Sequence, residues 1–332
     1  MKRATFIPEA SSNLKKYEKG FTEGFLRNFQ NVGNQIVKEV ENGGFYDLIS
    51  LRYDVLEKTY HLLFRLYSET SGLNYHDYQL VYRNEGEFKV LDVYTYTTGE
   101  NLSRTINNIY LLSLPKTIVD KFLSFGKMAS HIKLGRASQM IQKGNYKGAH
   151  MLLESLNGSL NDQKIFHVLN IQCSQFLNEE THLKALEGLR KHFPHDHSTN
   201  LMLIDYYILQ NDSDGALTCI HRLEKSTQDN FLDYIRGNVY VSANQFNRAL
   251  PYYLKTVENY PLYVNARLNI IACQVQIGDF HKAITEIDTM IKEGFMTKQE
   301  AIAYVEAEAG SSSGNTLQPL ADSSVYLKWK NI

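Results

Sequence analysis

Cysteine, tryptophan, net charge and long apolar runs are all scarce in this chain, and each scarcity excludes something. Cys173, Cys219 and Cys273 are the three cysteines in 332 residues. An odd count at such wide spacing fits neither a disulfide framework nor a zinc signature. Each lies in an apolar helical segment, where a buried free thiol is the expected state. The net charge of -1 argues against a broad electrostatic grip on nucleic acid, which needs many unpaired Lys and Arg on one surface. No apolar run approaches the roughly 18 residues of a membrane span. The opening MKRATFIPEASS has two basic residues and no apolar stretch after them, so no signal peptide is read there. The compartment stays open: cytoplasmic, or exported had a leader been removed.

Motifs for cofactors and catalysis are missing too. There is no GxGxxG and no GxxxxGK[ST] to cradle phosphates, and no GxSxG or HExxH. No cofactor, metal or catalytic residue is expected on this ground, and a non-enzymatic protein is the leading reading. The remaining composition is ordinary. Hydrophobic residues make up 43% and charged residues 21%, as in a soluble globular protein of one large or two to three smaller domains. The 22 tyrosines stand out against 16 Phe and 1 Trp, and tyrosine suits half-buried binding faces.

What the chain does have is a repeated phrase. GNYKGAH (144–150), NQFNRAL (244–250) and GDFHKAI (278–284) place an aromatic three residues before an alanine. Ala149, Ala185, Ala216, Ala249 and Ala283 occupy matching contexts, separated by 36, 31, 33 and 34 residues. A period near 34 marks a repeat architecture. Each unit divides into two helical halves with apolar positions three and four apart, as in 231–243 and 246–260. Pro261 stops the second half of the fourth unit, Pro194 closes the second unit early, and Gly278-Asp279 turns between the halves of the fifth. The alanine is small because two helices joined by a short turn approach closely only at a small side chain.

These residues resemble the tetratricopeptide repeat. In the fourth unit Gly237, Tyr240, Ala249, Tyr253 and Pro261 fall on the family's small, aromatic and proline positions. The fifth unit matches through Gly278, Phe280 and Ala283 but has Ile271 where a small residue is usual. The first matches through Ala137, Gly144, Tyr146 and Ala149. In the second Cys173 stands in as the small residue, and in the third Ile204 departs from the pattern. The resemblance covers residues 127 to 295 and implies about five helix pairs over 126–309. Helix 296–309 follows, with Ile302, Tyr304 and Val305 able to cover the end of the stack. GSSSG (310–314) then reads as a flexible linker, and also resembles an engineered joint. The tail after it is expected to be disordered, or to dock on this molecule or another.

Residues 1–125 read as an α+β module. Residues 13–44 form a long amphipathic helix with Phe21, Phe25, Phe29, Val32, Ile36 and Val40 on one face, ended by Gly43-Gly44. Segments 59–68, 74–83 and 87–98 read as strands, 50–54 as a fourth, with Asn84-Glu85-Gly86 as a hairpin turn. A helix or two, interrupted at Pro115, leads to the repeats. The hairpin text is similar to cystatin-like and nuclear-transport-factor-like folds. The fold class is therefore mainly α: a tetratricopeptide helix-turn-helix solenoid preceded by a long helix on a small antiparallel sheet.

Two sets of candidate site residues follow. The repeat resemblance implies that certain first-helix positions line a concave groove: His131, Leu134 and Ser138; His167, Asn170 and Ser174; Leu201 and Asp205; Phe231, Tyr234 and Asn238; Asn265 and Leu268. Phe231 and Tyr234 are an expected apolar anchor and Asn238 a backbone-binding amide. The chaperone-binding subgroup's basic clamp is absent, since Tyr234 takes its lysine position. The weighed alternative is that several of these residues pack against the N-terminal module. The second set is a pocket on the sheet with His61, His76, Tyr78 and Tyr94, and with Tyr60 and Tyr75 nearby. His76 and Asp77 point to opposite faces of a strand and cannot pair; His61 is placed opposite His76, with Asp92 on the next strand. An open polar sheet face is the plainer reading. His195 and His197 could reach one metal ion, but a solvated loop is expected. The resulting function is a scaffold that binds a partner protein or peptide segment. A ligand-binding or catalytic sheet module is the alternative.

Overall fold

A computed structural model describes residues 12–28, 30–69, 71–83, 86–113, 126–156, 158, 160, 162–194, 196–310 and 316–331. Phe29, Asn84, Glu85, Pro115 and His195 lie outside them, as do the side chains of Val32, His131 and His197. The chain forms two compact units, one of Met1–Tyr206 with Ser226–Gln228, the other of Tyr207–Lys225 with Asp229–Ile332. The fold is mainly α, a run of helix-turn-helix hairpins with an α+β N-terminal part.

In the first unit, α1 (Ser12–Asn28) and α2 (Gln30–Glu41) precede a five-stranded antiparallel meander. Its strands are β1 (Phe45–Asp54), β2 (Thr59–Ser68), β3 (Gly72–Arg83), β4 (Glu87–Thr95) and β5 (Glu100–Asn101), paired in sequence order. The 50–54 strand thus extends back to Phe45, and β5 is an addition too short to carry an alternation signal. Gly44 lets α2 close onto the sheet. A Cβ there would come 2.7 Å from the carbonyl oxygens of both Glu39 and Tyr67. Glu39 then accepts hydrogen bonds from the hydroxyls of Ser68 (2.6 Å) and Ser71 (2.8 Å). The aromatic face of α1 meets another helix: Phe21 lies 5.1 Å from Tyr110 on α3 (Leu102–Ser113). Asp92 caps α3, accepting from the backbone N–H (3.0 Å) and hydroxyl (2.5 Å) of Ser103.

Two hairpins follow in this unit: α4 (Gly126–Gln142) with α5 (Tyr146–Glu154), and α6 (Lys164–Ser174) with α7 (Glu179–His192). Leu134, Ala137, Ala149, Leu153, Phe166 and Cys173 are buried together between them. The chain continues into α8 (His197–Leu209) and α9 (Ser213–Thr227). The second unit adds α10 (Leu232–Ser242) with α11 (Phe246–Asn259), α12 (Val264–Gln276) with α13 (Phe280–Lys292), and α14 (Lys298–Ala309).

The repeated phrase is a helix-to-helix turn. Gly144, Asn211, Asn244 and Gly278 all adopt positive φ, at 74°, 55°, 57° and 81°. Each is followed by a residue whose N–H reaches five residues back: Asn145 to Met140, Asp212 to Tyr207, Gln245 to Tyr240, Asp279 to Gln274. That is the Schellman ending, which needs a left-handed residue, so Gly or Asn stands there. Asn145, Asp212 and Asp279 then cap the next helix through their side chains. Ala149, Ala216, Ala249 and Ala283 are fully buried where the paired helices meet. Ala185 in the degenerate second unit is only partly buried, and its turn uses the Asn178 cap without a left-handed residue.

Helix α14 begins with a capping box of Thr297 and Glu300. Val305 is buried, with Ile302 and Tyr304 packed alongside. The tail takes the docked alternative. Residues 316–331 include α15 (Gln318–Ala321) and α16 (Ser324–Lys330), and Leu317, Leu320, Tyr326 and Trp329 are buried in one cluster with Ile271, Ile287 and Val305. The flexible tail expected beyond 310 is thus replaced over 316–331 by packed helix. The cause is apolar residues three apart (317/320 and 326/329), a helical period too brief to weigh in the sequence. Residues 311–315 lie outside the described ones.

Candidate functional site

The expected groove residues divide by burial. In the second unit Phe231 and Tyr234 are sealed inside an aromatic cluster. Phe231 lies 5.4 Å from Tyr260 and 5.3 Å from Tyr263, and Tyr234 lies 4.9 Å from Tyr263 and 5.7 Å from Tyr253. The open apolar anchor is therefore corrected to core packing. Tyrosines of α11 and of the turn into α12 fill the space that a partner side chain was expected to take. Asn238 stays half-buried, with its Oδ1 accepting from the Tyr253 hydroxyl at 2.8 Å. Asn265 and Leu268 on α12 are also half-buried.

In the first unit His167 is buried against His192 (4.8 Å) and Phe193 (5.6 Å). Asn170 is buried too, its Oδ1 without a hydrogen-bond partner among the described residues. Leu201 is half-buried and Asp205 exposed. Protein crowded around the Asp205 carboxyl nevertheless raises its pKa by desolvation. The side chain of His131 is not among those described.

The sheet does not assemble the expected pocket, because the register splits its members between two faces. His61 pairs with Gln79, while His76 pairs with Phe64, so the two histidines point apart. This corrects their placement opposite one another; a one-residue register difference reverses the face. On one face Tyr46, Phe64, His76 and Tyr78 meet. Asn74 directs its carbonyl at the N–H groups of Tyr75 (2.8 Å) and Thr97 (3.0 Å), so its amide NH2 faces His76 Nε2 at 3.0 Å. His76 therefore carries its proton on Nδ1 and donates it to the Tyr46 oxygen at 3.0 Å. Tyr46 in turn donates to Tyr78 at 2.9 Å. Burial pushes His76 down to about 4 and raises the Tyr46 phenol above its ordinary range.

On the opposite face stands a group that sequence reasoning missed. His61 Nδ1 lies 2.9 Å from Asp77 Oδ1, and Arg52 donates to Asp77 Oδ2 at 2.8 Å. The Asp that cannot pair with its neighbour His76 thus pairs diagonally across the hairpin. A signal for it was available: opposite charges two register positions apart on paired strands. Tyr75 and Tyr94 share this face. Tyr94 reaches the repeats, its hydroxyl 3.0 Å from the Ser198 hydroxyl. Lys164 donates to Ser198 and pairs with Asp196 at 2.6 Å. Desolvation lowers the Lys164 ammonium. Desolvation would also push Asp196 up, but its bonds from Lys164 and Ser198 outweigh this and hold the carboxyl below its usual range. Packing of the module against first-helix residues therefore occurs, through Lys164 and Ser198. HFPHDH yields an ion pair at Asp196, and no metal-ligand cluster occurs among the described residues.

No protein-family profile and no curated protein matches this chain. Among solved structures, it is similar to a crystal structure of the MamA protein at 15% identity, covering 55% of this chain and 95% of that one, with a TM-score of 0.42. MamA AMB-1 aligns at 15% identity over 53% of this chain and 98% of its own, with a TM-score of 0.41. MamA MSR-1 aligns at 14% over 48% and 94%, also at 0.41.

Proposed function

We propose that this protein is a non-enzymatic scaffold that binds a segment of a partner protein along the first-helix faces of its repeats, the concave groove of such arrays. The observation that carries this reading is the set of first-helix side chains that hairpin packing leaves unsealed. On α10 and α12 these are Asn238, Asn265 and Leu268; on α8 they are Leu201 and Asp205. Amides beside aliphatic groups suit an extended peptide, which offers backbone hydrogen bonds and side chains in alternation. Functional division at 125/126, with the sheet module as second docking surface or cap, belongs to this proposal. The near-zero net charge supports a protein partner over nucleic acid. No helix among the described residues is long and apolar enough to cross a membrane.

The test uses the full chain. Asn238→Ala with Leu268→Ala in the second unit, and Asp205→Ala with Leu201→Ala in the first, are compared in partner capture from the source lysate. Loss of a captured protein with either pair supports the groove; retention of every partner by both pairs removes it. Tyr234→Ala is unsuitable, since it opens the aromatic core. A second reading places ligand binding or catalysis in the sheet module, and the Arg52–Asp77–His61 arrangement is the observation for it. A small molecule that co-purifies with the wild-type chain but not with His61→Gln would favour that reading.

A further inference from the structure

We propose that one face of the sheet is a homodimer interface, on which the same face of a second copy packs. The face is defined by register. Tyr53 and Tyr60 are cross-strand partners, as are Tyr82 with Phe88 and Leu80 with Val90. Their rings interlock: Tyr53 lies 4.8 Å from Tyr60, Tyr60 5.2 Å from Phe88, and Phe88 5.3 Å from Tyr82. With Leu51 they make a continuous apolar surface on the half of the sheet nearest the β1–β2 and β3–β4 turns. The opposite face of the same strands carries Arg52, His61, Gln79, Arg83, Glu87 and Lys89. That opposite face is also the packed one, with Leu63, Arg65 and Tyr75 buried on it, so the apolar face is the one left to solvent, where polar side chains are the norm. Here the apolar face is open. Leu48, Leu51, Tyr53, Tyr82, Phe88 and Val90 are each between 50% and 64% exposed.

The occupant follows from area and chemistry. With about 150–250 Å² on each of the three aromatic side chains, and less on Leu48, Leu51 and Val90, these six half-exposed residues present on the order of 600 Å². A standard interface buries roughly 800 Å² per partner, so two such faces meeting are of the size a stable dimer needs. Among the described residues these strands place no charged side chain on this face, so nothing there selects an oppositely charged foreign partner. A flat apolar face is self-complementary under a two-fold axis, and twisted sheets stack this way about 10 Å apart. Edge pairing through β1 is less suited, because the register break between Leu48 and Ser50 twists that edge away from a straight neighbour.

Sedimentation equilibrium of the full chain, from about 0.1 to 100 μM, tests this. The expected result is a dimer with a dissociation constant in or below the micromolar range. Val90→Glu and, separately, Leu51→Lys are expected to weaken it at least a hundredfold, with unchanged circular dichroism. Lys89→Glu, on the polar face, is expected to leave it alone. A wild-type chain that stays monomeric throughout overturns the proposal, whether a foreign protein or nothing covers the face. So does a dimer that both variants form as tightly as wild type. None of these positions is on the repeats, so partner capture by the first-helix faces is scored independently.

Discussion

Tyr326 offers a sharp test of how the tail is held. Its ring is buried and stacked 5.8 Å from Trp329, while its hydroxyl has no hydrogen-bond partner among the described residues. Two substitutions should therefore act in opposite directions. Tyr326→Phe deletes only an unsatisfied donor, whose burial costs about 1–3 kcal/mol, so the variant should hold the tail more tightly by roughly 1 kcal/mol. Tyr326→Ala deletes the ring as well, and aromatic-to-alanine changes in cores cost about 3–5 kcal/mol. Because the tail is terminal, that loss saturates at its own docking free energy. A loss of about 3 kcal/mol already shifts the docked-to-released ratio more than a hundredfold. Trp329 is the only tryptophan and donates from Nε1 to Asp288 at 2.7 Å, so its emission reports the tail alone. In urea titrations, Tyr326→Phe should move the Trp329 transition to higher denaturant. Tyr326→Ala should show red-shifted, iodide-quenched emission before any urea is added. A Tyr326→Phe variant whose transition moves down would refute the reasoning, since it would show that the hydroxyl makes a bond.

His76 sets an acid limit on the sheet module. Its folded pKa of about 4 lies below the unfolded value near 6.5, so between those values the unfolded chain binds the extra proton. Stability should fall as pH drops from about 6.5 to about 4, by roughly 3 kcal/mol. His76→Phe should flatten that slope in chemical denaturation at stepped pH. Gly237→Ala places a Cβ 2.5 Å from the Tyr253 ring and should cost about 1–3 kcal/mol by overpacking α10 against α11. In thermal melts Asn244→Gly, at φ 57°, should be neutral or slightly stabilising, whereas Gly278→Ala, at φ 81°, should cost about 1–2 kcal/mol. Lys164→Met leaves Asp196 with only its bonds from Ser198 and should cost about 2–3 kcal/mol, below the cost for a fully enclosed pair because Asp196 is partly exposed.

The repeats were legible because their signal is local. A left-handed turn residue, a cap, an aromatic and a small residue fall within seven positions, and each has one steric reason to be where it is. The four left-handed turn residues are all Gly or Asn. The strands were legible for the same reason, since alternation and Gly86 (φ 79°) are short-range facts. What sequence reading could not supply was the register between strands. Placing His61 opposite His76 rather than Gln79 is a shift of three residues in β3, and an odd shift exchanges the faces. The bulges between Leu48 and Ser50 and between Gln79 and Leu80 add further steps that no residue pattern announces.

Side-chain exposure was the other thing hidden. A first-helix position implies a direction but not what else arrives there. Phe231 and Tyr234 point where the repeat resemblance implies, yet Tyr253, Tyr260 and Tyr263 reach them first. The richness in tyrosine, taken at the outset as a sign of binding faces, is partly consumed in this packing. Elsewhere it is not. Tyr53 and Tyr82 remain half exposed on the sheet. The same residue type thus closes the second unit's interior and leaves the sheet's face open, and the difference is the number of neighbouring elements. A hairpin inside an array has a hairpin on each side to bury its aromatics. A five-stranded meander has two faces; one here buries Leu63, Arg65 and Tyr75, and the other, apolar and open, calls for a second molecule.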